Sequence, residues 1–405
     1  MLEIISIFHC RYYKKVIGQM DKIKLGIIGF GNMGVTHSRN ITSGITQNIE
    51  LVAICDTDPD RIKKVNEDYP DVKTFDNAEE MYKSGLIEAV LIAVPHYDHP
   101  PLAVKAFEYG LHVMCEKPAG VYTKQVLEMN EAAKKSGKVF GIMFQQRIRP
   151  HHVKLKELID KGELGKIKKV IWIATDWYRS EIYHQSASWR STWAGEGGAT
   201  IMNQSPHNLD LWQWLFGVPD YLTAFCSWGK YYNIECEDDA SVFMEYKDGL
   251  TGIYTTSTAE APGTNRLEIS CDMGKVILEN NEITFYRNTV PEREFSKINK
   301  APFGKPECWE CKIPVNSTNH SDHSIVLDKF ADAIRNGGEL IVNGTEGINE
   351  MLISNAIYMS DWLGNKKIDL NNFDDEKYYE LLMERVKTSK PKHVKKIIAD
   401  TKGSY

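Results

Sequence analysis

The stretch IKLGIIGFGNMG at positions 23–34 limits what this chain can fold into more than any other. An apolar run of strand type (Leu25, Ile27, Ile28, Phe30) is cut by Gly29, Gly31 and Gly34, the spacing G-x-G-x-x-G. In that spacing the first glycine allows a tight turn, the second lets the backbone approach a pyrophosphate, and the third lets the next helix pack closely on the strand. A helix opening near Asn32 would present free N–H groups and a positive dipole end to the anion. A second strand, 50–55, ends at Asp56, 22 positions after Gly34. An acidic residue about 20 positions downstream is the one that hydrogen-bonds adenosine ribose hydroxyls. The expected cofactor is NAD, because the Asp56 carboxylate would repel the 2′-phosphate of NADP. Thr57 and Asp58 add no positive charge, although Arg61 is close in sequence.

The rest of the first 146 residues repeats this alternation. Asp58-Pro59 has the form of a helix start, with Asp58 as N-cap and Pro59 in the first turn, predicting a helix to about Tyr69. A short strand (73–75), a helix (78–84) and a fully apolar strand AVLIAV (89–94) follow, the last typical of a parallel strand buried on both faces. A helix (101–109), a strand (112–115), a helix (123–136) and a strand (139–143) complete six strands of a doubly wound unit. Beyond Pro150 a helix (151–161) leads to strand-like segments at 170–177, 221–228, 240–246, 251–257, 267–270, 275–279 and 283–286, several at hairpin spacing. The expected fold is an α/β N-terminal Rossmann domain (20–146) and an α+β C-terminal domain (147–405) with a large, mostly antiparallel sheet. Helices at 324–336 and 347–363 are expected to return and brace the first domain. Residues 1–19 have an apolar stretch followed, not preceded, by Arg11, Lys14 and Lys15, the wrong order for a secretory signal, and are read as a non-functional extension.

Composition excludes several function classes. The chain has 405 residues, enough for two or more domains, and a net charge of -6, which argues against nucleic-acid or anionic-membrane partners. No run reaches the ~18 apolar residues of a membrane span. Eight scattered cysteines fit reduced thiols, and the expected location is cytoplasmic. Cys308-x-x-Cys311 with His320 and His323 has the first half of a zinc spacing, but the histidine pair is too close, and a strand edge followed by a helix start at 321–324 explains the same letters. No metal is expected.

Two places carry candidate chemistry. Lys117 follows a strand between Glu116 and Pro118, at the sheet end where ligands of open parallel sheets lie. His207 stands at the start of a helical stretch, 208–215, with Asn203 four residues before it, and histidine is suited to taking a proton near pH 7. Seven of nine tryptophans (172, 177, 189, 193, 212, 214, 228) fall between positions 172 and 228, interleaved with Asp176, Arg179, Tyr183 and Arg190. Some must be core; the remainder suit a sugar ring, which stacks on aromatics and needs hydrogen-bond partners.

The segments GFGNMG (29–34), Asp56, VPHYDH (94–99), Glu116-Lys117-Pro118, Trp189-Arg190, Gly197-Gly198 and His207 together resemble the glucose-fructose oxidoreductase, inositol dehydrogenase and rhizopine-catabolism family, Gfo/Idh/MocA. The resemblance covers about residues 22–390. It implies Lys117 and His207 as the catalytic pair. It places the cofactor against Gly29, Phe30, Gly31, Asn32, Met33, Gly34, Asp56, Val94, Pro95, His96, His99, Glu116, Lys117, Gln145, Trp189 and Arg190. The carbohydrate substrate is expected against Lys117, Arg179, Tyr183, Asn203 and His207. Two residues depart from the family pattern: Asn203 stands where many members carry an aspartate, and His96 where an asparagine is common. The implied activity is NAD-dependent oxidation of a secondary hydroxyl of a sugar or glycoside, with C3 one candidate position, in a homodimer or homotetramer formed through the second sheet. Two other readings fit the same residues: glycoside cleavage through transient oxidation by a retained NAD, and a non-catalytic NAD-binding regulator.

Overall fold

The computed structural model describes residues 21–315, 321–390 and 392; the expectation for residues 1–19 lies outside them. Six parallel strands form the first sheet: β1 (Ile23–Ile28), β2 (Ile49–Cys55), β3 (Lys73–Phe75), β4 (Ala89–Ile92), β5 (His112–Cys115) and β6 (Phe140–Ile142), in the order β3-β2-β1-β4-β5-β6. The order reverses at β1, between β2 and β4, and the crevice outside the strand ends at such a reversal is where open α/β sheets hold their ligands. All four residues of β4 are buried, which is why its sequence is apolar throughout. Helices α1 (Asn32–Thr42), α2 (Pro59–Asp68), α3 (Ala78–Lys83), α4 (His99–Glu108) and α5 (Thr123–Ser136) connect the strands. Local chemistry starts them: the Asp58 carboxylate accepts the Asp60 N–H at 2.9 Å, with Pro59 in the first turn, and the Asn77 side-chain oxygen accepts the Glu79 N–H at 2.8 Å to cap α3.

After α6 (Pro150–Asp160) the chain builds a nine-stranded sheet from β7 (Ile167–Ala174), β8 (Tyr221–Trp228), β9 (Glu237–Glu245), β10 (Thr251–Ser257), β11 (Asn265–Cys271), β12 (Gly274–Glu279), β13 (Glu282–Asn288), β14 (Cys308–Ile313) and β15 (Ile368–Asp369). The order is β14-β13-β12-β11-β7-β10-β9-β8-β15, and every pairing is antiparallel except β7 with β10. Between β7 and β8 lie a short helix α7 (Glu181–His184), a single π-type turn (Thr200–Gln204) and α8 (Pro206–Phe216). The chain closes with α9 (Glu292–Ile298), α10 (Asp322–Asn336), α11 (Gly347–Trp362) and α12 (Asp375–Thr388).

Both braces form where the sequence puts them. Val326, Leu327, Phe330 and Ala331 of α10 bury among Ile23, Leu25, Ile49 and Met114 of the first sheet, and Arg335 closes on Glu88 at 2.8 Å. Helix α11 packs on β8, α8 and α5, so it touches both sheets' layers. The tryptophan clustering resolves largely into core. Trp172, Trp212 and Tyr254 pack as one group, and Trp193, Trp228, Tyr358, Trp362 and Tyr378 as another. Truncating a fully buried ring such as Trp212 typically costs about 3–5 kcal/mol.

Candidate active site

The glycine turn between β1 and α1 is shaped as the spacing requires. Gly29 has φ +93°, and a Cβ on it would lie 2.3 Å from the Ala93 carbonyl oxygen; a Cβ on Gly34 would lie 2.0 Å from the Gly29 oxygen. A Cβ on Gly31 meets nothing within 4 Å, so open space lies above the start of α1. The N–H groups of that first turn have no partners within the helix. Asn32 beside it is exposed and Met33 half-buried. Phe30 contributes only backbone here, because its ring is buried edge-on against Tyr69. The open glycine, the free N–H groups and the nearby Asp56 fit the diphosphate and ribose of a dinucleotide.

Asp56 is more engaged than its position in sequence suggests. One carboxylate oxygen accepts the Phe30 N–H at 2.6 Å and Arg61 at 3.2 Å; the other accepts the Asp58 N–H at 2.9 Å. The side chain thus fixes the glycine turn to the end of β2 while standing beside a guanidinium.

At the carboxyl ends of β4 and β5, Val94 and Pro95 are half-buried and lead into His96. The ring of His96 contacts the Glu196 carbonyl at 3.1 Å and lies 6.1 Å from the Trp189 ring, which brings the loop before α8 onto this strand end. His99 behaves differently from the expectation that it faces the cofactor. Both ring nitrogens lie 2.8 Å from backbone carbonyls, of Pro118 and Val94, and the residue is 1% exposed. It braces the two strand-end loops against each other. Glu116 is likewise turned inward, bonded to His37 of α1 at 2.7 Å. Burial acts to raise its pKa, but His37, His323 and Lys117 outweigh that and hold the carboxyl below its ordinary value.

Lys117 is the hub of the cleft. Its ammonium donates to the Asn203 backbone oxygen at 2.8 Å and to the Asn203 side-chain oxygen at 3.3 Å. The Asn203 amide nitrogen donates to Tyr183 at 3.4 Å and to the Glu196 carboxylate. The Tyr183 hydroxyl also accepts from Gln204 at 2.7 Å and Arg190 at 2.5 Å. Arg190 stacks over Tyr183 (4.2 Å) and Trp189 (4.6 Å), while Arg179 lies over Tyr183 (5.0 Å) and Trp177 (5.4 Å). Desolvation lowers the Lys117 pKa, with Glu116 and Glu196 opposing and Arg179 adding to the fall. Asn203 owes its place to the π-type turn, which sets it apart from the regular helix that begins at Pro206.

His207 stands in the first turn of α8, 3% exposed, edge-on to Phe144. Burial, then the Lys117 charge, pushes its pKa well below the usual value, so the ring is neutral. Gln145 lies 3.5 Å away across the site, a contact too long to be a strong hydrogen bond. A neutral imidazole and an amine of lowered proton affinity beside the open glycine turn can together accept a hydroxyl proton and polarise its oxygen.

Sequence reasoning missed Glu196 and Glu350 as individual residues. Glu350 of α11 is fully buried, its carboxyl pushed up to about 8 by desolvation; Ser354 donates to one oxygen at 2.6 Å. The signal available was a charged letter inside an apolar helical run. Of the clustered tryptophans, only Trp177 and Trp189 stand by the cleft's cations. Cys308 and Cys311 lie on an edge strand, on opposite faces by their odd spacing, followed by the helix starting at Asp322; His320 lies outside the described residues.

Comparison with known proteins agrees with this architecture. Residues 23–144 match the profile of the oxidoreductase family with an NAD-binding Rossmann fold, and residues 152–277 that of the GFO/IDH/MocA C-terminal domain. The inositol 2-dehydrogenase of Corynebacterium glutamicum is 29% identical over 196 residues, 48% of this chain and 54% of that protein. The scyllo-inositol 2-dehydrogenase (NADP(+)) IolW of Bacillus subtilis is 24% identical over 360 residues, 84% of this chain and 93% of the relative. Matches to the first such relatives thus span only about half of their length. Among solved structures, the WlbA dehydrogenase of Chromobacterium violaceum, crystallised with NADH and UDP-GlcNAcA, superposes with a TM-score of 0.74 at 24% identity, over 87% of this chain and 96% of that one. That likeness is one of fold.

Proposed function

The chain belongs to the Gfo/Idh/MocA family of oxidoreductases, and on that premise we propose that it is an NAD-dependent dehydrogenase oxidising a secondary hydroxyl of a sugar or glycoside to a ketone. One observation carries the reading: Lys117, held by Asn203, stands near enough to the buried His207 for its charge to help keep that ring neutral. The relatives named as inositol dehydrogenases support a secondary carbinol as the reacting group. NAD, when bound, supplies the hydride acceptor. His207 takes the hydroxyl proton as the C–H bond is lost, and Lys117 polarises the oxygen, so alcohol becomes ketone with one proton left on the protein. Arg179, Tyr183, Asn203 and the Trp177 ring hold the sugar, while Arg190, which fixes Tyr183, and Trp189 stand on the cofactor side.

The test is a screen of sugars, glycosides and inositols with NAD, followed at 340 nm, with the ketone then located by NMR, C3 being one candidate position. Flat absorbance with every compound overturns the proposal. On the best substrate found, His207→Ala and Lys117→Ala each lower turnover roughly 10²- to 10⁴-fold, the usual worth of a positioned acid or base. NAD affinity stays near wild type in His207→Ala. Turnover retained by His207→Ala places the base elsewhere, with Lys117 first in line.

A further inference from the structure

Asn203 cannot take a proton or carry charge, yet its amide joins the two charged side chains of the cleft. Its orientation is settled by chemistry: an ammonium only donates and a carboxylate only accepts, so the oxygen faces Lys117 and the nitrogen faces Glu196. Glu196 is 1% exposed. One of its carboxylate oxygens accepts the Ser191 N–H, and the other accepts the Asn203 amide and lies 3.7 Å from Arg190. Arg190 does not form a paired fork with it, because that guanidinium is spent on Tyr183 and on stacking over Trp189. A buried carboxylate is costly unless some other group uses its charge.

We propose that Glu196 is the positioning carboxylate of Lys117, acting through the Asn203 amide in place of a side chain of its own at the ammonium. A bond from the amide N–H to the carboxylate polarises the amide and makes its oxygen a stronger acceptor for the ammonium. The inference rests on the reading that Lys117 acts on the substrate, and it assigns to an amide and a second residue the work a single adjacent carboxylate would do. The other charges around Lys117 are Glu116 and Arg179, with Glu350 as a neutral acid and His96, His99 and His207 as neutral rings. Around Glu196 they are Arg190, Lys117 and Lys392.

The proton affinity of Lys117 is read without any substrate by competitive acetylation with acetic anhydride across pH, quantified on the peptide that contains it. Glu196→Gln removes the negative charge and lowers the Lys117 pKa by about one unit, equivalent to a tenfold change in the free-amine fraction. Asn203→Leu cuts the link with Glu196 in place and shifts it the same way. Glu196→Gln combined with Asn203→Asp returns a carboxylate to the ammonium and brings the pKa back up. A merely structural role has the opposite sign, because loosening the cleft lets water in and raises the pKa toward that of a free lysine. No shift, or a rise, in Glu196→Gln overturns the proposal; if that variant fails to fold, Asn203→Leu decides by the same criterion. Failure of the dehydrogenase reading is told apart by absorbance: no NADH formed from any compound, with the acetylation pattern as expected, sinks that reading alone, whereas a fully active Lys117→Ala removes Lys117 from the catalytic step.

Discussion

Asp56 shows how a single residue serves two purposes. It was legible as an acidic group at the right distance after the glycines, but its bonds to the Phe30 and Asp58 N–H groups and to Arg61 required the folded turn. The carboxylate charge would repel a 2′-phosphate, so kcat/KM with NAD is expected to exceed that with NADP. Asp56→Ser frees Arg61, now 3.2 Å from the carboxylate, to meet that phosphate. One hydrogen bond to a charged group is worth about 1.5–3 kcal/mol, so the NADP to NAD ratio rises roughly ten- to a hundredfold while NAD efficiency falls with the loosened turn. Equal efficiency of the wild type with both cofactors, or an unchanged ratio in the variant, removes Asp56 as the discriminator. Lys117 was likewise identified by its place after a strand, whereas Glu196 went unread because it stands in a loop where nothing in the spacing relates it to Lys117.

Among the elements, α11 has the most to gain from being read as a buried helix. Its apolar run packs between α8, β8 and α5, and Glu350 enters that interface as a neutral acid. The sign follows from the direction of the shift. The folded carboxyl holds its proton up to about 8, while an unfolded glutamate releases it near about 4.3. Folding therefore binds a proton between those values, and stability falls as pH rises through the window, at up to about 1.4 kcal/mol per pH unit. Glu350→Gln keeps the shape and removes the titration. Its midpoint in urea should match wild type at about pH 4 and exceed it increasingly up to about pH 8. Parallel pH profiles for the two proteins would show that Glu350 is ionised in the fold. The π-type turn at Thr200–Gln204 was invisible in sequence for a different reason: its letters are ordinary, and its register is imposed by Glu237, whose carboxylate accepts the Ala199 and Ile201 N–H groups at 3.2 and 2.7 Å.

At the scale of the molecule, no helix among the described residues layers one face of the nine-stranded sheet. Phe225, Phe243 and Ile253 stand on it, 58%, 41% and 38% exposed, with Phe243 paired to Ile253 across β9 and β10. Contiguous apolar surface of that kind marks an interaction site in soluble proteins, and we propose a homo-oligomer built on this face. Light scattering at micromolar concentration should give a multiple of 46.2 kDa. Phe225→Glu with Phe243→Glu should reduce it to the monomer while NAD still binds, since the glycine turn belongs to the other sheet. A monomeric wild type ends the proposal.

Features that depend on short-range chemistry were readable in the letters alone. The glycine spacing, the period of the apolar residues, the Asp58-Pro59 helix start and the buried run of β4 each act within a few residues, and so the six-stranded unit and most of the second sheet could be read in order. Edges were less visible. β14, β15, α9 and α12 carry mixed exposed letters and are held by neighbours far away in the chain, such as β13 for β14 and β8 for β15. The site divides in the same way. Lys117, Asn203 and His207 were named from local patterns, but the hold of Asn203 on Lys117, the inward turn of His99, and the link from Glu196 through Asn203 join residues up to 86 positions apart. Only the tertiary structure decides such contacts, because burial and charge pairing depend on which elements pack together and not on the order of the letters.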